Sequence, residues 1–329
     1  MIIIKRGVNK LLNIRVSLQT RPVMLSVARS FKRRQKQRTI LNKACEWSDL
    51  YSPIVLRTYK DILLRRKEEK KRIKISPSCC PLESYKLVQN WYFSRTSHGQ
   101  RLGYSRPLRG EMIWDYPWVC AHLQLEEGMQ VADIGTENSC LPYYFALRGC
   151  TVYGLDKWLG NYGESFLKNV LWRCYNNQFE LLVDGDKEVP CRVVYRQEDV
   201  TKMSFPDCSF DRIICLSTLE HIPDDSSAAR SLGRVLKSNG ILAITVPFGP
   251  SYSQESDKPH RKGPNGKWFS DLGRVYSEEA LFSRIIEPSG LHLAGDYDFN
   301  VDWSNIKKHQ CPGQNPKFVS AVIFLTKKQ

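Results

Sequence analysis

The sequence predicts an α/β fold: a doubly wound, mostly parallel sheet with helices on both faces. Three observations predict it. Residues Met129–Asp156 (MQVADIGTENSCLPYYFALRGCTVYGLD) read as strand, glycine turn, helix and second strand ending on an acid, the entry unit of a nucleotide-binding α/β domain. Beyond it, apolar runs alternate with helical patterns to the end of the chain. One of these runs, FDRIICLS, is apolar almost throughout, as strands covered on both faces are.

Glu111–Leu123 reads as a helix leading into the first strand, with Pro117 limiting it or starting it afresh. Val131, Ala132 and Ile134 form that apolar strand. Gly135 supplies the tight turn, where a side chain would be in the way. Ser139 stands where a helix N-cap is wanted, and Pro142 fits the first helical turn. Thr151–Leu155 is the next strand, with Asp156 at its carboxyl end. Gly135 and Asp156 are 21 positions apart, close to the roughly 20 expected between a glycine turn and a ribose-binding acid.

Tyr162–Gln178 has a helical pattern, with Phe166, Val170 and Leu171 on one side. Val189–Arg196 and Phe210–Ser217 are strands with no strong helix between them. Pro223–Lys237 is a helix with Asp224 and Asp225 in its first turn and Asn239-Gly240 at its end. Ile241–Val246 is a strand. Ser277–Ile286 is a helix opening Ser-Glu-Glu-Ala, its acids at the positive end of the dipole. Leu291–Tyr297 and Phe318–Leu325 are the last two strands.

The 329 residues allow one large domain or two ordinary ones. The net charge of +15 is unevenly placed: residues 1–75 hold 21 Lys+Arg against 5 Asp+Glu, and the rest hold 28 against 29. No acid precedes Glu46. Basicity is therefore a property of a leader and not of the body. Residues 57–74 read as a charged helix with an exposed face, and Ser76–Pro81 as a linker. The expected division is 1–80, basic leader and linker, and 81–329, the globular domain.

Three readings of the leader compete. It is acid-poor and Arg-rich, like a mitochondrial presequence. Clustered Lys and Arg also suit nucleic acid or an anionic membrane surface. The third reading is a solvated tail. The corresponding locations are the cytoplasm, the mitochondrion or a membrane periphery. Eleven cysteines are scattered without Cys-x-x-Cys or zinc spacing, which points to free thiols. No run of 18 apolar residues occurs.

Four segments now stand in order: ADIGTENS, TVYGLD, EDVTKMSFPDCSFDRIICLSTLEHIPDD and RVLKSNGILAITVPFG. In that order and spacing they resemble the class I S-adenosylmethionine-dependent methyltransferases, most of all the small-molecule type 11 group, over residues 111–326. The resemblance implies a Rossmann-like doubly wound fold whose mostly parallel seven-stranded sheet ends in an antiparallel strand. It implies S-adenosylmethionine as cofactor. It also implies cofactor-binding roles for Asp133, Gly135, Thr136, Glu137 and Ser139 around the methionine part, and for Asp156 at the ribose. Asp199 and Val200 fall to the adenine, and Leu216 and Ser217 lie beneath the cofactor.

The chain departs from that family's pattern at the glycine loop, where Glu137 and Ser139 replace two of three glycines. Quinone-pathway O-methyltransferases of this kind carry Glu-x-x-Glu-His and bind a divalent metal. Here Ser217 takes the first of those positions before Glu220-His221, so no metal site is expected. His221 is either a general base or a shaper of the turn. Candidate substrate walls are Trp91, Tyr92, Tyr104, Trp114, Tyr116 and Trp118, and the insertion Phe248–Tyr276 with His260, Arg261, Lys262, Lys267 and Trp268. The expected activity is methyl transfer to an oxygen, nitrogen or carbon of a small molecule such as a sugar, lipid or metabolite. The alternatives are action on RNA or protein through the leader, and a non-catalytic cofactor-binding module.

Overall fold

The computed structural model describes residues 40–46, 48–75, 112–136, 139, 141–157, 178–183, 191–254, 261–262, 268–269, 273–310 and 318–328. The leader up to residue 39, the linker Ser76–Pro81 and nearly all of the expected helix Tyr162–Gln178 lie outside them. One compact unit begins at Ile40.

Its strands are β1 (Asn42–Ala44), β2 (Ile73–Ile75), β3 (Gln130–Ile134), β4 (Thr151–Asp156), β5 (Gln178–Val183), β6 (Cys191–Gln197), β7 (Phe210–Leu216) and β8 (Leu236–Phe248), followed by the short β9 (Ser253–Gln254), β10 (Arg261–Lys262), β11 (Trp268–Phe269) and β12 (Arg274–Val275), then β13 (His292–Leu293), β14 (Tyr297–Asp298) and β15 (Val319–Thr326). Helices are α1 (Pro53–Arg72), α2 (Met112–His122), α3 (Leu141–Ala146), α4 (Asp225–Val235) and α5 (Glu278–Leu281), which runs through a π turn (Phe282–Ile286) into α6 (Glu287–Ser289).

Five parallel strands, ordered β6–β4–β3–β7–β8, form the centre. β15 closes them antiparallel to β8, from Val319 opposite Phe248 to Thr326 opposite Ile241. The alternation of the buried strands explains the two-sided burial. In β8, Ile241 and Ala243 join the core beneath α1, α2 and α3. Leu242, Ile244 and Val246 join the one beneath α4, α5 and the π turn. The expected parallel centre and antiparallel last strand are present. Around them the sheet reaches eleven strands among the described residues. Sequence reading missed β5, which follows the expected helix and is antiparallel to β6, and the three-residue β1 and β2.

The expected boundary near residue 80 is not where the fold begins. β1 pairs with β15 and β2 pairs with β5, so residues 42–75 supply strands to both flanks of the sheet. α1 exposes Arg57 and Lys60 and buries Val55 and Ile62. Its Asp61 accepts from the Tyr144 hydroxyl at 3.0 Å and from Arg148 Nη2 at 2.9 Å. His309 Nε2 accepts from the Asp302 N–H at 3.2 Å, which leaves Nδ1–H to donate to the Cys45 carbonyl at 3.1 Å.

α4 ends at Val235, two residues before its expected end, and the chain enters β8 at once. Asn239 takes the left-handed bend with φ +59°, and pairing with β7 skips from Leu236 opposite Phe210 to Ile241 opposite Arg212.

Asn42 is fully buried. Its Oδ1 accepts from the Phe324 N–H at 2.6 Å, and its Nδ2 donates to the carbonyls of Ala294 and Asp296. Asn42→Ala leaves these backbone groups without that partner, at a cost of about 2–3 kcal/mol. Thermal unfolding of the full chain is expected to show a midpoint several degrees lower; an unchanged midpoint would mean that β1 is not integral to the sheet.

Candidate functional site

The carboxyl ends of the parallel strands share one edge, and the strand order reverses between β3 and β7. That crevice is where an open α/β sheet binds its ligand. Ile134, the last residue of β3, faces Leu155 of β4 on one side and Cys215 of β7 on the other.

Gly135 follows with φ +77°, and its N–H donates to the Leu155 carbonyl at 2.8 Å. A Cβ here would lie 2.2 Å from Thr218 Oγ1, so the glycine is required by its neighbour as well as by its own backbone. Thr218 Oγ1 sits 2.9 Å from the Leu216 carbonyl and 3.3 Å from that of Ile134. It thereby bridges the ends of β7 and β3. Sequence reasoning missed Thr218. A threonine after a strand carries no signal of its own, and its role depends on Gly135, 83 positions earlier.

Asp133 is buried, and Thr136 Oγ1 donates to its Oδ2 at 3.1 Å. Burial pushes its carboxyl up to about 7. The nearby Asp156 charge adds to this, and hydrogen bonds from Ser139 and Thr136 oppose it. Ser139 Oγ accepts from the Leu141 N–H at 3.2 Å at the start of α3. Glu137 lies outside the described residues.

Asp156 ends β4, half-buried, opposite Gln197 of β6. Asp199 stands one turn further on. Its Oδ1 accepts from the N–H and hydroxyl of Thr201, and its Oδ2 pairs with Lys157 at 2.9 Å. Burial works against ionisation, yet the Lys157 and Thr201 hydrogen bonds and the Lys157 charge hold the carboxyl at about 2. Val200 is buried beside it. Leu216 ends β7. Ser217 has φ +47°, a region that a residue with a side chain rarely occupies, and its N–H points at the carbonyl and hydroxyl of Thr245, both at 3.1 Å.

Beyond it a 3₁₀ turn, Leu219–His221, carries Glu220 and His221. The Glu220 side chain is 4% exposed and the His221 side chain 46%, with Glu220 Oε1 3.9 Å from His221 Nε2. No cluster of three or more His, Cys, Asp or Glu suited to a metal occurs among the described residues.

The structure thus brings Asp133, Gly135, Thr136, Ser139, Leu216 and Ser217 to the β3/β7 crevice. Asp156, Asp199 and Val200 lie along the β4/β6 end of the same edge. The expected aromatic walls are corrected in part: Trp114, Tyr116 and Trp118 are buried in the core along α2 and do not form an open wall. Trp91, Tyr92, Tyr104, His260 and Lys267 lie outside the described residues. In the insertion after β8, Arg261–Lys262 pairs with Trp268–Phe269 and Arg274–Val275 pairs with Ser253–Gln254.

A family model described as a methyltransferase domain matches residues 132–244. A ubiquinone biosynthesis O-methyltransferase of Pseudomonas syringae pv. tomato is 32% identical over 215 residues, covering 62% of this chain and 75% of that protein. The chain belongs to the class I S-adenosylmethionine-dependent methyltransferases. It falls in their type 11 group and transfers a methyl group from S-adenosylmethionine to a small-molecule acceptor. A protein of the same name from Stutzerimonas stutzeri is 30% identical over 214 residues, with 62% of this chain and 75% of that one covered. In the match to its namesake from Pseudomonas putida, 31% identical over 162 residues, 49% of this chain and 59% of that protein are covered. Among solved structures, an S-adenosylmethionine-dependent methyltransferase of Methanosarcina mazei has a TM-score of 0.43 at 16% identity, over 64% of this chain and 98% of that one.

The residues present fit the cofactor at the ribose, where a half-exposed carboxylate stands at the sheet edge. At the adenine end the Asp199 carboxylate is already committed to Thr201 and Lys157, so an exocyclic amine would have to share Oδ2 with that lysine.

The raised carboxyl of Asp133 gives a pH test. Its native value near 7 lies above the usual ~4 of an unfolded aspartate. Between those values the unfolded chain has lost a proton that the native protein keeps, so stability falls as pH rises through the window and levels off above 7. Asp133→Asn removes this slope. Denaturant unfolding at pH 5 and pH 8 should show the variant gaining on the native protein by roughly 2–3 kcal/mol between the two. Parallel pH profiles would show that Asp133 ionises normally.

Proposed function

We propose that this methyltransferase acts on a hydroxyl of a small ring compound of the kind from which quinones are made, with His221 as the base. The name shared by the curated relatives supports the oxygen acceptor and the compound class. The observation that carries the reading is the exposed imidazole of His221, next to the buried Glu220 carboxylate and just beyond the end of β7.

When bound, the cofactor supplies an electrophilic methyl on a sulfonium. Asp156 would accept from its ribose hydroxyls, and the amides after Gly135 would face its methionine carboxylate. His221 takes the proton of the acceptor hydroxyl, which makes the oxygen the stronger nucleophile; held in line with the sulfonium methyl it would accept that methyl as S-adenosylhomocysteine left. The Glu220 carboxylate favours the imidazolium that forms. A phenol-type hydroxyl suits an imidazole base, because both titrate within a few units of neutrality.

The test is label transfer from methyl-labelled cofactor to catechol, to a mixture of simple sugars and to total RNA. Label on the catechol oxygen is expected; label confined to RNA or sugars would replace this acceptor class. His221→Asn is expected to lower turnover about 10²–10⁴-fold, with cofactor affinity unchanged by calorimetry. Full turnover in that variant would remove His221 from the chemistry.

Asp156→Ala, in contrast, should weaken cofactor binding about 10–100-fold by removing charge-assisted hydrogen bonds. Calorimetry with S-adenosylhomocysteine checks this without any acceptor, and an equal dissociation constant would refute the ribose assignment.

A further inference from the structure

We propose that Arg274, 53 positions after His221 in the chain, is a positioning residue that fixes the turn bearing the base; this rests on the reading of His221 given above. Arg274 belongs to β12, in the insertion after β8. Its side chain is 2% exposed, a rare place for a guanidinium.

The guanidinium spends its fork on main-chain oxygens that bracket His221. Nη1 donates to the Ile222 carbonyl and lies 3.5 Å from that of Glu220. Nη2 donates to the Pro223 carbonyl at 2.8 Å, and Nε to the Tyr252 hydroxyl at 3.2 Å. A 3₁₀ turn leaves its last carbonyls without helical partners. Here one planar cation meets the Glu220 carbonyl inside the turn and the Ile222 and Pro223 carbonyls that follow it, and so sets the direction in which the His221 ring leaves the turn.

Arg274 is itself held. The Asp225 carboxylate is fully buried, with Oδ2 3.9 Å from Arg274 Nε. Arg284 grips the same carboxylate bidentately, Nε to Oδ2 at 2.9 Å and Nη2 to Oδ1 at 2.6 Å, and the Tyr276 hydroxyl donates to Oδ2 at 2.8 Å. Two residues after Arg274, the Tyr276 N–H donates to the Pro247 carbonyl, and the Gly249 N–H donates back to the Tyr276 carbonyl, both at 2.9 Å. The network therefore ties the turn to the end of β8 and to the start of α4. A lysine keeps the charge and can reach one or two carbonyls, but not in a planar fork.

The experiment compares the full chain with Arg274→Met, Arg274→Lys, His221→Asn and the Arg274→Met/His221→Asn double variant. Turnover is measured at saturating methyl-labelled cofactor and catechol, and the His221 ring is followed by NMR across pH, assigned from the spectrum that His221→Asn lacks. Arg274→Met is expected to lower turnover about 10-fold in the native background and not further in the His221→Asn background, because the two residues act as one unit. Its His221 titration midpoint is expected to move as the Glu220 carboxylate loses its place, while Arg274→Lys gives values of both between those of Arg274→Met and the native protein. Cofactor affinity stays within about twofold, since Arg274 is not part of the cofactor edge.

Additive losses, or a folded Arg274→Met with the native His221 titration, would overturn the positioning role and leave the base intact. Native turnover in His221→Asn would instead overturn the base and with it this proposal. If catechol takes no label, the acceptor reading fails and the NMR titration alone decides on Arg274. If Arg274→Met does not fold, Arg274→Lys carries the test: a native titration and turnover with only one or two carbonyls held would refute the need for the fork, and an intermediate value of both supports it.

Discussion

Everything at the cofactor edge depends on how closely the ends of β3 and β7 approach. Gly135 has no side chain, so the Thr218 methyl and hydroxyl fill the space beside it. The hydroxyl then reaches the last carbonyls of both strands. Strand ends in a parallel sheet leave such carbonyls exposed to whatever binds above them. Closing the gap with one short side chain fixes the floor of the crevice and the direction in which the next residues leave. Ser217 shows the cost of that exit in its left-handed backbone, which the paired contacts to Thr245 hold in place.

The second constraint is charge inside the fold. Arg212 lies in a central strand, and its guanidinium donates to the carbonyls of Leu123 and Gln124 at the end of α2 and to that of Asp211. Asp225 is equally buried and is met by two arginines and a tyrosine. In both cases a buried ion is tolerated because oxygens or counter-charges surround it. In both cases the partner is an irregular segment: the loop entering β3, and the stretch from the Leu219–His221 turn into α4. Buried ions thus fix segments that have no ladder hydrogen bonds of their own.

The sequence was legible where periodicity and local turn chemistry speak together. The unit from Val131 to Asp156, the apolar run Ile213–Leu216 of β7 and the helix start at Ser277, whose hydroxyl accepts from the Ala280 N–H, are local signals, and the structure bears them out. The start of the fold was not legible. Charges dominate α1, and Val55 and Ile62, one face of a helix otherwise crowded with Lys and Arg, are too few to outweigh them. Strands of three residues such as β1 and β2 have no period to detect. Trp114, Tyr116 and Trp118 look alike as core and as wall, since aromatic content reports burial and not which surface is buried against. Arg274 sits in a segment with no pattern, DLGRVYSEE, and its value arises only from a contact across the fold.

The path from β1 to β2 crosses eight strand-to-strand intervals, about 38 Å at the usual spacing, and the twenty residues of α1 rise about 30 Å. One helix therefore carries the chain from one flank of a twisted sheet to the other, like a strap with a buckle at each end. A protein trimmed at residue 80 on the evidence of its charge would lose both buckles and bare two rows of unpaired backbone groups, on β15 and on β5. Such a fragment would be prone to self-association through its edges, so a search for activity in a shortened enzyme has to keep everything from Ile40 onward.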